Sequence, residues 1–194
     1  TLGTGIVPVF ARLPTLTAAA MAVAATIAPG RVVLGVGIGH RDGLVAGHGV
    51  EFSRPLTRTR EFVEIARRLL RGERVEQLIG SFPIQDYQVE CLPPLPVPVY
   101  VAALRPAMLR MAGACADGVL MNWATPARVR EAVEHVRAGE REAGRPPGVV
   151  RIASYLRTCV SEDASRVESA SRKQIAQYGS MVYYRNYFAE IGFA

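Results

Sequence analysis

Short apolar runs alternate with amphipathic stretches along almost the whole chain. Apolar runs bounded by glycine or proline are typical of strands that are buried on both faces, and a 3.6-residue periodicity is typical of helices. The strand pattern covers residues 2–10, 32–38, 97–103, 118–122 and 149–160. The helix pattern covers residues 15–28, 56–71, 106–115, 126–143 and the stretch from residue 163 onward. This alternation predicts parallel βαβ units and an α/β fold.

Glycine-rich or polar residues follow the carboxyl ends of several predicted strands. The run that starts at Arg31 ends in Gly37-Ile38-Gly39-His40, so glycines and a histidine stand together at one strand end. Several parallel strands with such ends are typical of a (β/α)8 barrel, whose active site lies on one rim. About five predicted strands are fewer than the eight of a closed barrel, so we expect one incomplete barrel domain over residues 1–194.

A doubly wound sheet is the main alternative fold. The glycines at positions 35, 37 and 39 resemble part of a dinucleotide-binding fingerprint, but their spacing is GxGxG. Residues 41–54 are polar and rich in glycine, and we expect a loop there. A helix that begins directly after the glycines would be needed to hold a pyrophosphate, so the pattern disfavours this alternative.

Residues 73–96 interrupt the alternation. They end in the cluster Pro93-Pro94-Leu95-Pro96, which can neither continue a helix nor pair within a central strand. We expect this segment to be an insertion over a barrel rim, with a plain long connection as the alternative.

Composition narrows the functional classes. Hydrophobic residues make up 49% of the 194 residues and the net charge is +6, which fits a soluble domain. The charge comes from arginines that are spread over helices, so nucleic-acid binding is not expected. The longest apolar stretch, residues 16–28, is shorter than the ~20 residues of a membrane span. Three widely spaced cysteines, Cys91, Cys115 and Cys159, predict neither a metal site nor disulfides and favour a cytoplasmic location.

Three segments together resemble the bacterial luciferase-like monooxygenase superfamily. They are LGTGIVPVFARLP, PGRVVLGVGIGH and PVYVAALRPAMLRMAGACADGVLMNW. The resemblance is to the coenzyme F420-dependent oxidoreductase branch, which includes methylenetetrahydromethanopterin reductase. It implies a luciferase-like (β/α)8 TIM barrel, of which this chain would be an interior fragment without the first strands and the C-terminal end. It also implies hydride transfer between coenzyme F420 and an organic substrate.

The first segment would lie behind the deazaflavin ring. The resemblance implies cofactor contacts from Gly5, Ile6 and Val7, with a cis peptide bond between Gly5 and Ile6. The alternative is a regular strand with a glycine at a barrel bend.

The second segment would supply the proton donor. The resemblance implies cofactor contacts from Ile38, Gly39 and Gly43, and it puts His40 where a glutamate often stands in the resembling dehydrogenases. An imidazole with a pKa near ~6.5 is suited to proton transfer. Alternatively, His40 only bonds the cofactor or caps the loop.

The third segment would hold the cofactor phosphate. Ala103, Leu104 and Arg105 join a strand to a helix that begins with proline, and exposed amides at a helix start favour anions. Asn122 and Trp123 end the next strand, where they could contact the substrate; core or lid packing is the alternative for Trp123.

Two other functions remain open at the sequence level. The first is an FMN-dependent monooxygenase of the same superfamily, and the second is a truncated barrel that binds flavin without catalysis. Each interpretation implies a small-molecule ligand. The oligomeric state is open, with a homodimer as one alternative.

Overall fold

The computed structural model describes residues 1–193, and it contains eight strands and seven helices within them. The strands are β1 (Leu2–Gly3), β2 (Val7–Pro8), β3 (Val32–Gly37), β4 (Val75–Gln77), β5 (Ile84–Tyr87), β6 (Val99–Ala102), β7 (Gly118–Asn122) and β8 (Arg151–Tyr155). The helices are α1 (Pro14–Ile27), α2 (Arg41–His48), α3 (Pro55–Leu70), α4 (Pro106–Cys115), α5 (Pro126–Glu142), α6 (Ala164–Gly179) and α7 (Val182–Glu190).

A parallel sheet organises the molecule, in the order β1-β3-β6-β7-β8, with β2 also paired to β3. The strands follow chain order and are all parallel, so their carboxyl ends meet at one edge. The helices α1, α3, α4 and α5 pack in sequence as one outer layer. Side chains such as Leu34, Val101 and Met121 are buried in the core. The predicted incomplete (β/α)8 barrel is confirmed.

The inner face of this partial barrel carries small residues where strands approach each other. A Cβ at Gly37 would lie 3.0 Å from the Cβ of Ala102 and 3.3 Å from the side chain of Ile6. Glycine at this position therefore lets Ile6 and Ala102 approach the backbone of β3 closely on the inner face.

Helix α2 corrects the predicted loop over residues 41–54. His40 is its extended N-cap and Gly49 its left-handed C-cap. Two glycines within the helix weaken the local signal, but Leu44 is buried against Gly39, where a Cβ would lie 2.9 Å from its Cδ1. Tertiary packing thus decides the helix. The expectation that no helix follows Gly39 was wrong, and the sequential strand order is what argues against a doubly wound sheet.

The first and last predicted strands are shorter than expected. Residues 2–10 form two short strands, and between them the Thr4 hydroxyl both accepts from Gly35 N and donates to Gly35 O, at 2.9 and 2.8 Å. The predicted strand 149–160 is confined to β8, which within residues 1–193 pairs only with β7. Leu156 and Val160 lie beyond its end and are exposed.

Residues 73–96 contain the antiparallel hairpin of β4 and β5. The hairpin lies against α3, where Ser81 N donates to Glu61 and Arg58 donates to Ser81 O. Phe82 and Ile84 are buried. Whether the segment acts as a rim insertion stays a prediction.

Within residues 1–193, no helix is long and apolar enough to cross a membrane. The same residues contain no cluster of metal-binding side chains, and all three cysteines are free.

Candidate active site at the carboxyl edge of the sheet

The Gly5–Ile6 segment lies on the inner face of the sheet, between β1 and β2. Its peptide bond is cis, as the resemblance implies. Ile6 packs against Gly37, and Val7 pairs with Val36 in the next strand. Gly5 lies below the carboxyl ends of the strands, because the chain continues through Pro8 before it leaves β3.

Tyr155 reaches the same place from the opposite end of the sheet. A Cβ at Gly5 would lie only 1.8 Å from the Tyr155 hydroxyl, so this side chain crosses the inner face from β8. Sequence analysis missed Tyr155. The available signal was its place as the last residue of a strand, opposite Asn122 in the ladder.

His40 stands at the end of β3, where α2 begins. Its backbone is extended, and among residues 1–193 its side chain makes no capping hydrogen bond to the helix. The ring is exposed, with its centroid 5.9 Å from that of Tyr184 and 6.5 Å from that of Tyr178. Gly39 before it has a left-handed φ of 72°, which glycine tolerates readily. Ile38 is half-buried, and Gly43 is exposed in the first turns of α2.

Ala103, Leu104 and Arg105 connect β6 to α4. Ala103 and Leu104 are buried. Arg105 is the N-cap of α4, and the first turn of this helix contains no acidic residue within the described chain. The first amides of a helix lack intrahelical partners and favour negative charge.

The Arg105 guanidinium is already paired. It donates to the Glu190 carboxylate at the end of α7, and it lies 5.5 Å from the ring centroid of Tyr183 and 5.8 Å from that of Tyr187. The Arg105 cation is therefore engaged in an ion pair with Glu190.

Asn122 and Trp123 end β7 on the same edge. Asn122 Nδ2 donates to the Tyr184 hydroxyl over 2.9 Å. Asn122 Oδ1 and Trp123 Nε1 are buried, and neither has a hydrogen-bond partner within residues 1–193. Trp123 has a left-handed φ of 56°, which is rare for a bulky side chain and is characteristic of functional positions.

Helices α6 and α7, which we call the rim hairpin, bring these residues together. Trp123 contacts Tyr178 and Phe188 edge to face, with ring centroids 5.3 and 5.8 Å apart. Arg157 lies 4.8 Å above the Trp123 ring and donates to the Tyr178 hydroxyl. Sequence analysis predicted a helix here but not its position. The signal was the concentration of aromatic residues between positions 178 and 188.

Two hydroxyls of α7, those of Tyr184 and Tyr187, are held in their neutral form. Burial raises the pKa of Tyr184, and this effect is larger than the opposing effect of the Asn122 hydrogen bond. Burial likewise raises the pKa of Tyr187. These groups can therefore donate hydrogen bonds at neutral pH but do not supply a phenolate.

The site as a whole consists of a small-residue inner face, an uncapped helix start and an aromatic, arginine-rich cover. His40, Arg105, Asn122 and Trp123 all approach the rim hairpin. Gly5, Ile6 and Gly39 remain on the sheet side.

Comparisons with known proteins agree with this architecture. The family model described as luciferase-like monooxygenase matches residues 1–192. The 5,10-methylenetetrahydromethanopterin reductase of Methanolobus tindarius is 33% identical over 175 residues, which cover 90% of this chain and 53% of the relative.

Two solved structures are similar in fold. The coenzyme F420-dependent tetrahydromethanopterin reductase from Methanopyrus kandleri has a TM-score of 0.77 and 26% identity, over 91% of this chain and 55% of that one. An F420-dependent secondary alcohol dehydrogenase in complex with an F420-acetone adduct has a TM-score of 0.81 and 25% identity, over 93% and 55%. The chain thus spans about half the length of these relatives. Because the family model covers nearly all of its residues, the chain belongs to the luciferase-like monooxygenase family.

Proposed function

We propose that the protein is an oxidoreductase that transfers a hydride between coenzyme F420 and a small organic substrate. The observation that carries this proposal is the apolar inner face at Ile6, where Gly37 lets the Ile6 side chain pack directly against the backbone of β3. The similarity to an F420-dependent reductase and an F420-dependent alcohol dehydrogenase supports the choice of cofactor.

The residues present fit a planar cofactor that ends in phosphate. The inner face offers glycine and aliphatic surface, and the α4 start offers unpaired amides beside Arg105. Two buried polar atoms, Asn122 Oδ1 and Trp123 Nε1, have no partner among the described residues and could serve a ligand. When bound, the deazaflavin supplies the hydride chemistry, and the protein supplies binding, orientation and exclusion of water.

Each part of the chain then has its own task. Ile6 provides the apolar surface behind the ring. Val7, Ile38 and Gly39 line the neighbouring strand ends, and Gly43 lies in α2. The backbone of 103–105 and the α4 start bind phosphate. His40 holds the proton that accompanies the hydride, and its exposed ring can exchange this proton with solvent. Asn122 and Trp123 contact the substrate.

The same proposal extends to the class of substrate, the location of the protein and its assembly. The substrate is a small molecule, in keeping with the similarity to a secondary alcohol dehydrogenase that was solved with an F420-acetone adduct. Three free cysteines favour the cytoplasm. A homodimer is the assembly that we would test first by sedimentation.

Cofactor choice is tested by titration of the full-length protein with coenzyme F420 and, separately, with FMN. We expect F420 to bind more tightly and its reduced form to appear when an oxidisable alcohol is added. Tighter binding of FMN, with oxygen consumption by the reduced flavin, would instead support a monooxygenase. Binding of FMN without any turnover would support a non-catalytic flavin carrier.

A further inference from the structure

Helix α7 lies across the residues that the proposed function assigns to ligands. Tyr184 accepts a hydrogen bond from Asn122, Phe188 contacts Trp123, and Glu190 pairs with Arg105. The three contacts are distributed along the helix, so α7 as a whole covers the edge of the sheet from β6 to β7.

Two features, the Arg105 guanidinium and the first amides of α4, favour an anion at the position of the Glu190 carboxylate. Arginine binds carboxylate and phosphate through the same planar fork of N–H donors. Arg105 also begins α4, whose first amides add positive potential and whose first turn has no acidic residue in the described chain. Glu190 comes from 85 residues further along the chain and supplies the negative charge at this place.

We propose that Glu190 occupies the phosphate position at Arg105, so that a phosphate group releases α7 from the rim when it binds. The inference rests on the proposed function for the location of the phosphate. It adds that the Glu190 carboxylate competes with the phosphate for Arg105, and that α7 moves away when the phosphate replaces this carboxylate.

The rim hairpin is attached weakly enough to move. Helix α6 contains no buried residue within the described chain, and the buried residues of α7 are Tyr184 and Tyr187. The side chains of Arg105 and Glu190 are 32% and 48% exposed, so the ion pair is accessible to an incoming anion. Segments with few buried apolar contacts open at a small fraction of the global unfolding free energy.

Trp123 provides a reporter for this movement. It is the only tryptophan in the sequence, and it contacts both Tyr178 of α6 and Phe188 of α7. Withdrawal of the rim hairpin exposes its indole to water, which shifts the emission to longer wavelength and increases quenching by acrylamide.

The first experiment titrates the full chain with inorganic phosphate at pH 7.5, with sodium chloride exchanged for phosphate to keep the ionic strength constant. We expect phosphate to shift the Trp123 emission to longer wavelength. In Glu190→Gln the emission of the phosphate-free protein should already be shifted, and phosphate should change it little. The matched control is Glu168→Gln, which removes a carboxylate paired with Arg172 on α6 and should behave as the wild type.

The second experiment measures coenzyme F420 affinity of the same three proteins. Because the exposed Arg105–Glu190 ion pair must be broken before the phosphate binds, Glu190→Gln should bind coenzyme F420 about two- to fivefold more tightly at low salt. The gain should shrink at high salt, where exposed charges are screened. Glu168→Gln should show no gain.

The outcomes separate this proposal from the proposed function. A phosphate-insensitive emission in the wild type, or equal emission of wild type and Glu190→Gln, overturns the displacement of α7 whether or not F420 binds. Unchanged F420 affinity in Glu190→Gln also overturns it. Failure of the wild type to bind F420 refutes the proposed function, while the phosphate titration still decides the displacement.

Discussion

At the scale of single residues, two glycines differ in what surrounds them: Gly35 lies in β3, and Gly5 lies in the connection between β1 and β2. A Cβ at Gly35 would lie 2.1 Å from the carbonyl oxygen of Thr4, which is backbone and cannot turn away. A Cβ at Gly5 would meet the hydroxyl of Tyr155, the end of a side chain that is 42% exposed. Equal substitutions at the two positions should therefore have unequal costs.

We predict that Gly35→Ala lowers the free energy of unfolding by about 3 kcal/mol or more, because an overpacked backbone contact must be relieved by displacement of β1. Gly5→Ala should cost less than about 1 kcal/mol, since Tyr155 can swing into solvent. Urea denaturation of both variants measures the difference. Equal losses would show that Tyr155 is held in place as firmly as the backbone.

His40 is the residue on which the proposed proton transfer depends. Positioned acid–base groups contribute about 10²–10⁴-fold in rate, so His40→Ala should lower turnover on that scale with little change in cofactor affinity. His40→Glu should restore part of the loss, because a carboxylic acid can also carry the proton. Steady-state kinetics against pH, with cofactor binding measured separately, check this. Turnover near that of the wild type in the alanine variant would leave His40 a structural role.

Cys115 should differ in reactivity from the other two thiols. Burial raises the pKa of Cys115 to about 12, whereas Cys91 and Cys159 are exposed. The thiolate is the reactive form, so Cys115 should react with a disulfide reagent at pH 8 only after unfolding. Thiol counting in native and denatured protein measures this. Cys115→Ala should remove the slow thiol and leave the fast ones; loss of a fast thiol would contradict the assignment.

At the scale of secondary-structure elements, a buried carboxylate joins α5 to β8. Glu140 is fully buried, and it accepts hydrogen bonds from Gly148 N, Val150 N and Arg137 at 3.0, 2.8 and 2.6 Å. Burial alone would raise the pKa of Glu140, but these three donors outweigh it and hold the pKa below its usual range. The contact fixes the turn that leads into the edge strand.

We predict that Glu140→Gln lowers the free energy of unfolding by about 2–4 kcal/mol at pH 7, because it leaves a half-buried arginine and two backbone amides poorly matched. The lowered pKa means that the carboxylate stabilises the fold fully above its unfolded value near ~4.3 and loses this effect as the pH falls through the folded value. The difference between wild type and variant should therefore narrow below about pH 4.

Denaturant unfolding at pH 7 and at acidic pH measures this difference, with Glu134→Gln as the control on the same helix, where the side chain is exposed. A difference that stays constant as the pH falls would contradict the ionised role of Glu140.

The elements also show where local sequence patterns suffice. The bounds of α4 and β7 agree with the prediction, because Pro106 begins the helix and Gly118 begins the strand. Helix α2 was missed because its stability comes from Leu44 packed on Gly39 rather than from its own composition. Strands β1 and β8 end earlier than predicted: side-chain hydrogen bonds at Thr4 follow β1, and β8 lies at the sheet edge. The hydrophobic periodicity of the sequence does not reveal either feature.

At the scale of the whole molecule, the sheet positions most predicted site residues along one edge, as the order of the motifs implied. The closing of the site over that edge could not be read from the sequence. It depends on contacts between residues far apart in the chain, such as Asn122 with Tyr184 and Tyr155 with Gly5. No local pattern encodes such pairings. The ion pair between Arg105 and Glu190 is another contact of this kind.

A high-resolution structure of the full-length protein with bound coenzyme F420 tests the central claim most directly. We predict that the deazaflavin ring lies on the inner face beside Gly5–Ile6, with its phosphate at the start of α4 and His40 within hydrogen-bond reach of the reacting ring or substrate. A cofactor bound away from Ile6, or a phosphate distant from residues 103–105, would contradict the account.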